Sequence, residues 1–242
     1  MIRTIYSAVC LVVSMIFFTP FGLIGVILSP FGLKKPMSYL MYFCAHCWGL
    51  FMVAVLGCRM TVTGRENIPR KGGICFVSNH VGYIDILVIL AYTNRPFGFV
   101  AKQELIFAPI LNIWILMLGG QFIDRKSPRK ALKTINTGVA RIKSGGAMII
   151  FPEGHRSRGS GLLPFHPGSF KLATQSEAVI VPVAITGTYD IFEKNYRVHS
   201  GPVSITFCKP INTADIPAAD RKTTLSDQVY GVIKQTLEEG NK

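Results

Sequence analysis

Two long stretches without a charged residue open the chain. Thr4 to Leu33 is a run of 30, and Pro36 to Cys58 a run of 23. A membrane-crossing helix needs roughly 20 mostly apolar residues. Each run therefore predicts a helix, and together they predict an N-terminal apolar two-helix hairpin over residues 1–58. Pro20 and Pro30 interrupt the first run, and Pro20-Phe21-Gly22 predicts a kink or helix end. The first run is longer than the roughly 7–15 apolar residues of a signal peptide and has no convincing small-residue cleavage site, so both runs read as retained. Cys44-Ala45-His46-Cys47 has the spacing of a redox or metal pair, but it lies in an apolar segment with no second pair. It reads as part of a buried helix.

After Cys58 the pattern changes to short apolar runs separated by turn residues. Arg59–Gly64, Gly73–Ser78, Phe97–Ala101, Gln121–Ile123, Ala147–Phe151, Val179–Thr186 and Val203–Cys208 predict strands. Ile84–Tyr92, Pro109–Leu118, Ser169–Ser176 and Thr223–Glu239 predict helices. Another runs from Pro128 to Lys143, with Ser127 as cap and proline at its first position. Strands alternating with helices predict an α/β fold, a single mixed-sheet domain over residues 59–242.

Composition sharpens this picture. Charged residues make up 16% of the 242 and the hydrophobic set 49%. That is well below the roughly 25% charge of a soluble domain. It excludes a disordered chain, and six cysteines are too few for a disulfide scaffold. The net charge is +13. Residues 1–58 hold Arg3, Lys34, Lys35 and no acid, so residues 59–242 carry 13 − 3 = +10. Such an excess favours anionic partners. A nucleic acid is not expected, because no basic helix, zinc module or basic-aromatic run is present. The Lys34-Lys35 connection favours the cytoplasm. Whether the hairpin spans or is re-entrant, the rest of the chain is expected on the cytoplasmic side.

Polar clusters follow three of the expected strands, where α/β proteins keep their sites. In Asn79-His80-Val81-Gly82-Tyr83-Ile84-Asp85, a histidine follows a buried strand and a carboxylate lies about a turn away. That is the base and its orienting acid, without a protein nucleophile. A substrate hydroxyl would then be the nucleophile. The alternative is a helix cap with a local ion pair. Gly119 to Arg125 ends in Asp124-Arg125, and an arginine there suits a phosphate or a surface pair. Phe151-Pro152-Glu153-Gly154-His155-Arg156-Ser157 presents an acid, an arginine and a hydroxyl after a rigid turn. Glu153 can order the arginine or bind a substrate hydroxyl. Lys102, in Lys102-Gln103-Glu104-Leu105, adds a cation. His166 and His199 read as solvated loop histidines, and His155 lies inside the third cluster, between its acid and its arginine. No convincing metal-ligand cluster is present.

These clusters, in order, resemble the glycerolipid acyltransferase family, in particular the lysophosphatidic acid acyltransferases. The block Asn-His-x-x-x-x-Asp is matched by Asn79, His80 and Asp85, and Gly-x-x-Phe-Ile-Asp-Arg by Gly119 to Arg125. Phe-Pro-Glu-Gly-x-Arg-Ser is matched by Phe151 to Ser157, and the apolar Val-Pro-Val strand by Val181 to Val183. The family usually has a basic residue where His166 or Pro167 stands.

The resemblance implies acyl transfer from a thioester, acyl-CoA or acyl carrier protein, to the sn-2 hydroxyl of lysophosphatidic acid. His80 would be the general base and Asp85 its orienter. Asn79, Lys102, Arg125, Glu153, Gly154, Arg156 and Ser157 would bind substrate, with Gly154 and nearby amides facing a phosphate or oxyanion. No cofactor or metal is implied. Anionic membrane lipids would be partners, at the cytoplasmic face of a bacterial inner membrane. Another lyso-lipid as acceptor, or a non-catalytic peripheral protein that binds anionic lipid, are the alternatives.

Overall fold

The computed structural model describes residues 1–28, 34–124, 127–217 and 221–240. Two helices come first, α1 (Ile2–Leu28) and α2 (Lys34–Leu56). Both are long and apolar enough to cross a membrane. Helix α1 does not end at Pro20; it continues through it. A proline removes one intrahelical bond, and the turns on either side carry the helix on. Pro30 lies outside the described residues.

The two helices differ in what they touch. Val9, Val12, Val13, Ile16 and Phe17 of α1 are exposed, at the three- and four-residue steps that make one stripe. Helix α2 instead buries Tyr42, Ala45, Trp48, Met52, Val53 and Leu56 in a core shared with residues far along the chain. Trp48 Nε1 donates to Ser14 Oγ at 2.9 Å, tying α2 to α1. His46 Nδ1 lies 3.1 Å from Leu90 O, and Tyr42 is bonded to Thr93. Packing is thus continuous across Cys58, and the Cys44–Cys47 segment serves as packed helix.

Then follow β1 (Cys58–Thr63), β2 (Ile74–Ser78), α3 (Asp85–Tyr92), β3 (Phe97–Lys102), α4 (Leu111–Met117), β4 (Gln121–Ile123) and α5 (Pro128–Lys143). After them come β5 (Ala147–Ile150), α6 (Lys171–Ser176), β6 (Val179–Thr186), α7 (Thr188–Ile191), β7 (Gly201–Phe207), β8 (Ile211–Asn212) and α8 (Arg221–Glu239). The short α7 and β8 carry no pattern the sequence could announce. Residues 103–107, to which the sequence assigned no element, form a 3-10 turn.

Among the described residues the strands form one mixed sheet, ordered β1-β7-β6-β2-β5-β3-β4, with β8 on β6. Strands β6, β2, β5, β3 and β4 are parallel, and β7 runs against β6. Both faces are covered. Ile74 and Phe76 of β2 point into the core with α2 and α3, while Cys75 and Val77 point to that with α6 and α8. This is why β2 reads as an unbroken apolar run rather than an alternation. The parallel strands bring the loops after β2, β5, β3 and β4 to one sheet edge, and the three polar clusters with them.

Candidate active site

The site starts where β2 ends. Asn79, buried, sends Nδ2 to Ile185 O at 2.9 Å and receives Ile185 N on Oδ1 at 2.8 Å. Both ends of its amide are used on β6, the neighbouring strand. Asn79 therefore fixes the exit of β2.

His80 follows. Its Nδ1 lies 2.7 Å from Asp85 Oδ2. Asp85 opens α3 and is fully buried. Its Oδ2 also accepts Val81 N at 2.7 Å and Gly82 N at 3.0 Å, and its Oδ1 accepts the Thr188 hydroxyl. A carboxylate with four donors is an acceptor throughout, so Nδ1 carries the proton it donates. Nε2 then holds the lone pair, and among the described residues no hydrogen-bond partner meets it. The His80 ring stacks on Phe151, centroids 4.2 Å apart and planes at 23°. Its side chain keeps 20% of its surface open. An imidazole fixed in tautomer and plane, with one nitrogen left unbonded among the described residues, can take a proton from a bound hydroxyl.

The turn itself is held by acids. His80 N donates to Glu153 Oε1 at 2.6 Å, Val81 N and Gly82 N to Asp85, and Tyr83 N to Glu193 Oε2. Four successive amides thus meet three carboxylates, two of them more than 70 residues away. A Cβ on Gly82 would lie 2.6 Å from Glu193 Oε2, so a side chain there would push that carboxylate off Tyr83 N. These amides are occupied and do not face a substrate oxygen.

The loop after β5 is laced to this turn. Ser157 N donates to His80 O at 2.7 Å and Arg158 N to Val81 O at 3.2 Å. Ser157 is buried. Glu153 is buried as well, and its Oε2 receives Leu163 N at 3.2 Å. Burial raises its carboxyl to about 7, against the lowering effect of its bonds from His80 and Leu163. Glu153 therefore fastens two loops. It does not order Arg156, as the sequence allowed. Gly154, at φ 76°, donates its amide to Phe151 O at 3.1 Å. That closes the turn.

Arg156 finds its acid elsewhere. Nη1 lies 3.0 Å from Glu193 Oε1, and the guanidinium carbon sits 3.5 Å from the centre of the exposed Tyr83 ring. Lys102 stands exposed at the end of β3, three residues past the Phe99–Ile149 rung with β5. Two strand spacings separate β3 from β2, about 10 Å. Arg125 lies outside the described residues; β4 delivers the chain to this same edge two residues earlier. His155, His166 and His199 are exposed.

Thr188 and Glu193 were absent from the sequence expectation. They lie on and just after α7, at the end of β6, and become site residues only because β6 pairs with β2. The signal available was positional: both follow the Val-Pro-Val strand within a dozen residues.

A single mixed sheet with a histidine–aspartate pair at a strand exit and cations along the same edge defines an α/β transferase site. The sequence profile described as Acyltransferase matches residues 59–186, more than half of the chain, and the chain belongs to that family. A 1-acyl-sn-glycerol-3-phosphate acyltransferase of Cocos nucifera is 31% identical over 211 residues, covering 86% of this chain and 67% of that protein. The protein of the same name from Escherichia coli strain K12 is 27% identical over 239 residues, covering 98% and 94%. The crystal structure of the 1-acyl-sn-glycerophosphate acyltransferase PlsC from Thermotoga maritima matches with TM-score 0.86 and 26% identity, over 99% of this chain and 95% of that one.

Proposed function

We propose that the chain transfers an acyl group from a thioester to the sn-2 hydroxyl of 1-acyl-glycerol-3-phosphate, giving phosphatidic acid. The carrying observation is the His80–Asp85 bond, which leaves Nε2 without a hydrogen-bond partner among the described residues. Nε2 takes the proton of the acceptor hydroxyl as its oxygen attacks the thioester carbonyl. Asp85 stabilises the imidazolium that forms. The tetrahedral intermediate collapses, the carbon–sulfur bond breaks, and Nε2–H returns the proton to the leaving thiolate. No protein acyl intermediate is needed. The names of the relatives support the acceptor, and they also support the reaction class.

Arg156, Lys102 and Arg125 supply the charge that holds the acceptor phosphate. Arg156 commits one of its five N–H groups to Glu193, which leaves a fork for a phosphate. Asn79, Glu153 and Ser157 act on the loops instead. Residues 1–58 form the membrane-associating part and residues 59–242 the catalytic part. The exposed apolar stripe of α1 enters the lipid, and the basic remainder faces anionic headgroups at the cytoplasmic side of a bacterial inner membrane. Substrate then reaches the site without leaving the bilayer surface.

A matrix of donors and acceptors tests this reading. Purified protein is given acyl-CoA or acyl carrier protein thioester, with lysophosphatidic acid, lysophosphatidylglycerol or no acceptor. Product with lysophosphatidic acid above all others supports it; equal thiol release without acceptor makes the chain a thioesterase.

A further inference from the structure

Glu193 is a buried acid that the reaction itself does not use. Its carboxylate is 6% exposed and divided between two partners. Oε2 accepts the amide of Tyr83, inside the turn that carries His80. Oε1 accepts Nη1 of Arg156 at 3.0 Å. The guanidinium is fixed from a second direction by the Tyr83 ring at 3.5 Å. One residue of the catalytic turn thus supplies both the backbone anchor for the acid and the aromatic bed for the arginine. A mobile arginine would have to be ordered by the ligand it binds, at the cost of side-chain freedom. Here that ordering is built in. The charge also matters: the carboxylate keeps a cation in place while no substrate is bound, then shares it with the incoming anion.

We propose that Glu193 is a positioning residue for acceptor recognition, making Arg156 and the His80 turn one rigid unit that sets the phosphate at a fixed distance from Nε2. This rests on the reading of Arg156 as a phosphate ligand, and it goes beyond that reading by naming the residue that holds it. The ligand class is a glycerolipid phosphomonoester. Binding of the acyl donor should be unaffected.

The test is steady-state kinetics of the full chain in mixed micelles, varying lysophosphatidic acid and acyl donor separately. Glu193→Gln keeps the side-chain shape and an acceptor for Tyr83 N but weakens the grip on Arg156. The expected result is an acceptor KM raised about tenfold or more, with kcat and donor KM within about twofold of wild type. Glu193→Asp restores the charge one methylene short and should recover part of the loss. Tyr83→Leu removes the ring at an exposed position, leaves the backbone anchor, and should raise acceptor KM in the same selective way. Glycerol 3-phosphate as a competitive inhibitor should weaken in parallel. Equal losses in kcat, donor KM and melting temperature, or an unchanged acceptor KM in Glu193→Gln and Tyr83→Leu, would overturn the proposal. Wild-type turnover with a silent His80→Ala control separates this outcome from failure of the acyltransfer reading itself.

Discussion

Nδ1 of His80 sits 2.7 Å from Oδ2 of Asp85, and that carboxylate is already bonded to the two amides that follow the histidine. The acid therefore does two things at once: it shapes the turn and sets the tautomer. Asp85→Asn can keep an oxygen on the turn and on Nδ1 by turning its NH2 to the Thr188 hydroxyl, but it no longer carries the charge that stabilises the imidazolium. Activity should fall by about 10²–10⁴. Stability should fall as well, by about 2 kcal/mol, because three buried hydrogen bonds lose their charged acceptor. Kinetics and urea unfolding of the same preparation check both.

Thr188 separates tautomer control from turn shape. Its hydroxyl donates to Asp85 Oδ1 and to neither His80 nor the turn. Thr188→Val is nearly the same volume and leaves the other three donors on Asp85. We expect kcat to drop about tenfold and stability by about 1 kcal/mol. Asp85→Asn should exceed both effects when the variants are assayed side by side.

Asn79 was expected at the substrate and is found on Ile185. The prediction for Asn79→Asp follows from that placement. One carboxylate oxygen can accept Ile185 N, but the other would face Ile185 O in a buried pocket. The expected cost is about 3 kcal/mol or more, read as a lower urea midpoint. A substrate ligand would instead show an acceptor KM effect with the midpoint unmoved.

Much of this site was legible because its chemistry is local. His80 and Asp85 lie five apart across a strand exit, and that spacing survives any arrangement of the sheet. The strands β2 and β6 were legible for a related reason: runs buried on both faces need no partner to be recognised. The partners of those residues were not legible. Glu153 is three residues before Arg156 and looks like its acid, but the turn aims it at His80 N and Leu163 N. Glu193 reaches Arg156 only because β6 lies beside β2, a pairing no local pattern encodes. The helix end allowed at Pro20 is absent for a comparable reason. One lost backbone bond is small against 27 residues of helix packed on α2 and α4.

Glu153 gives the site a pH dependence of stability. Its carboxyl is raised from the model-peptide value of 4.5 to about 7 by burial. Between those values the folded protein holds a proton that the unfolded chain has released. Stability is then full below about 4.5 and falls as pH rises towards 7, flattening above. Glu153→Gln cannot titrate, so its melting temperature should lose this slope relative to wild type. Thermal melts at pH 5, 6, 7 and 8 (about one-unit steps across the window) check it. Parallel slopes for the two proteins would reject it.

The exposed stripe of α1 predicts membrane binding that is separable from chemistry. Val13 and Phe17 are exposed, one turn apart. Burying each in lipid is worth about 1.5–3 kcal/mol, so Val13→Glu with Phe17→Glu should reduce vesicle partitioning well over tenfold. Co-sedimentation with vesicles containing phosphatidylglycerol measures it. Turnover of detergent-dispersed substrate should persist.

The most direct measurement concerns His80 alone. Release of thiol from acyl-CoA is followed with and without lysophosphatidic acid, for the wild-type chain and for His80→Ala of matched melting temperature. The account predicts thiol release by the wild type only when acceptor is present, in one-to-one ratio with phosphatidic acid, and a loss of about 10²–10⁴ in the variant. Undiminished acceptor-dependent turnover by His80→Ala would contradict it.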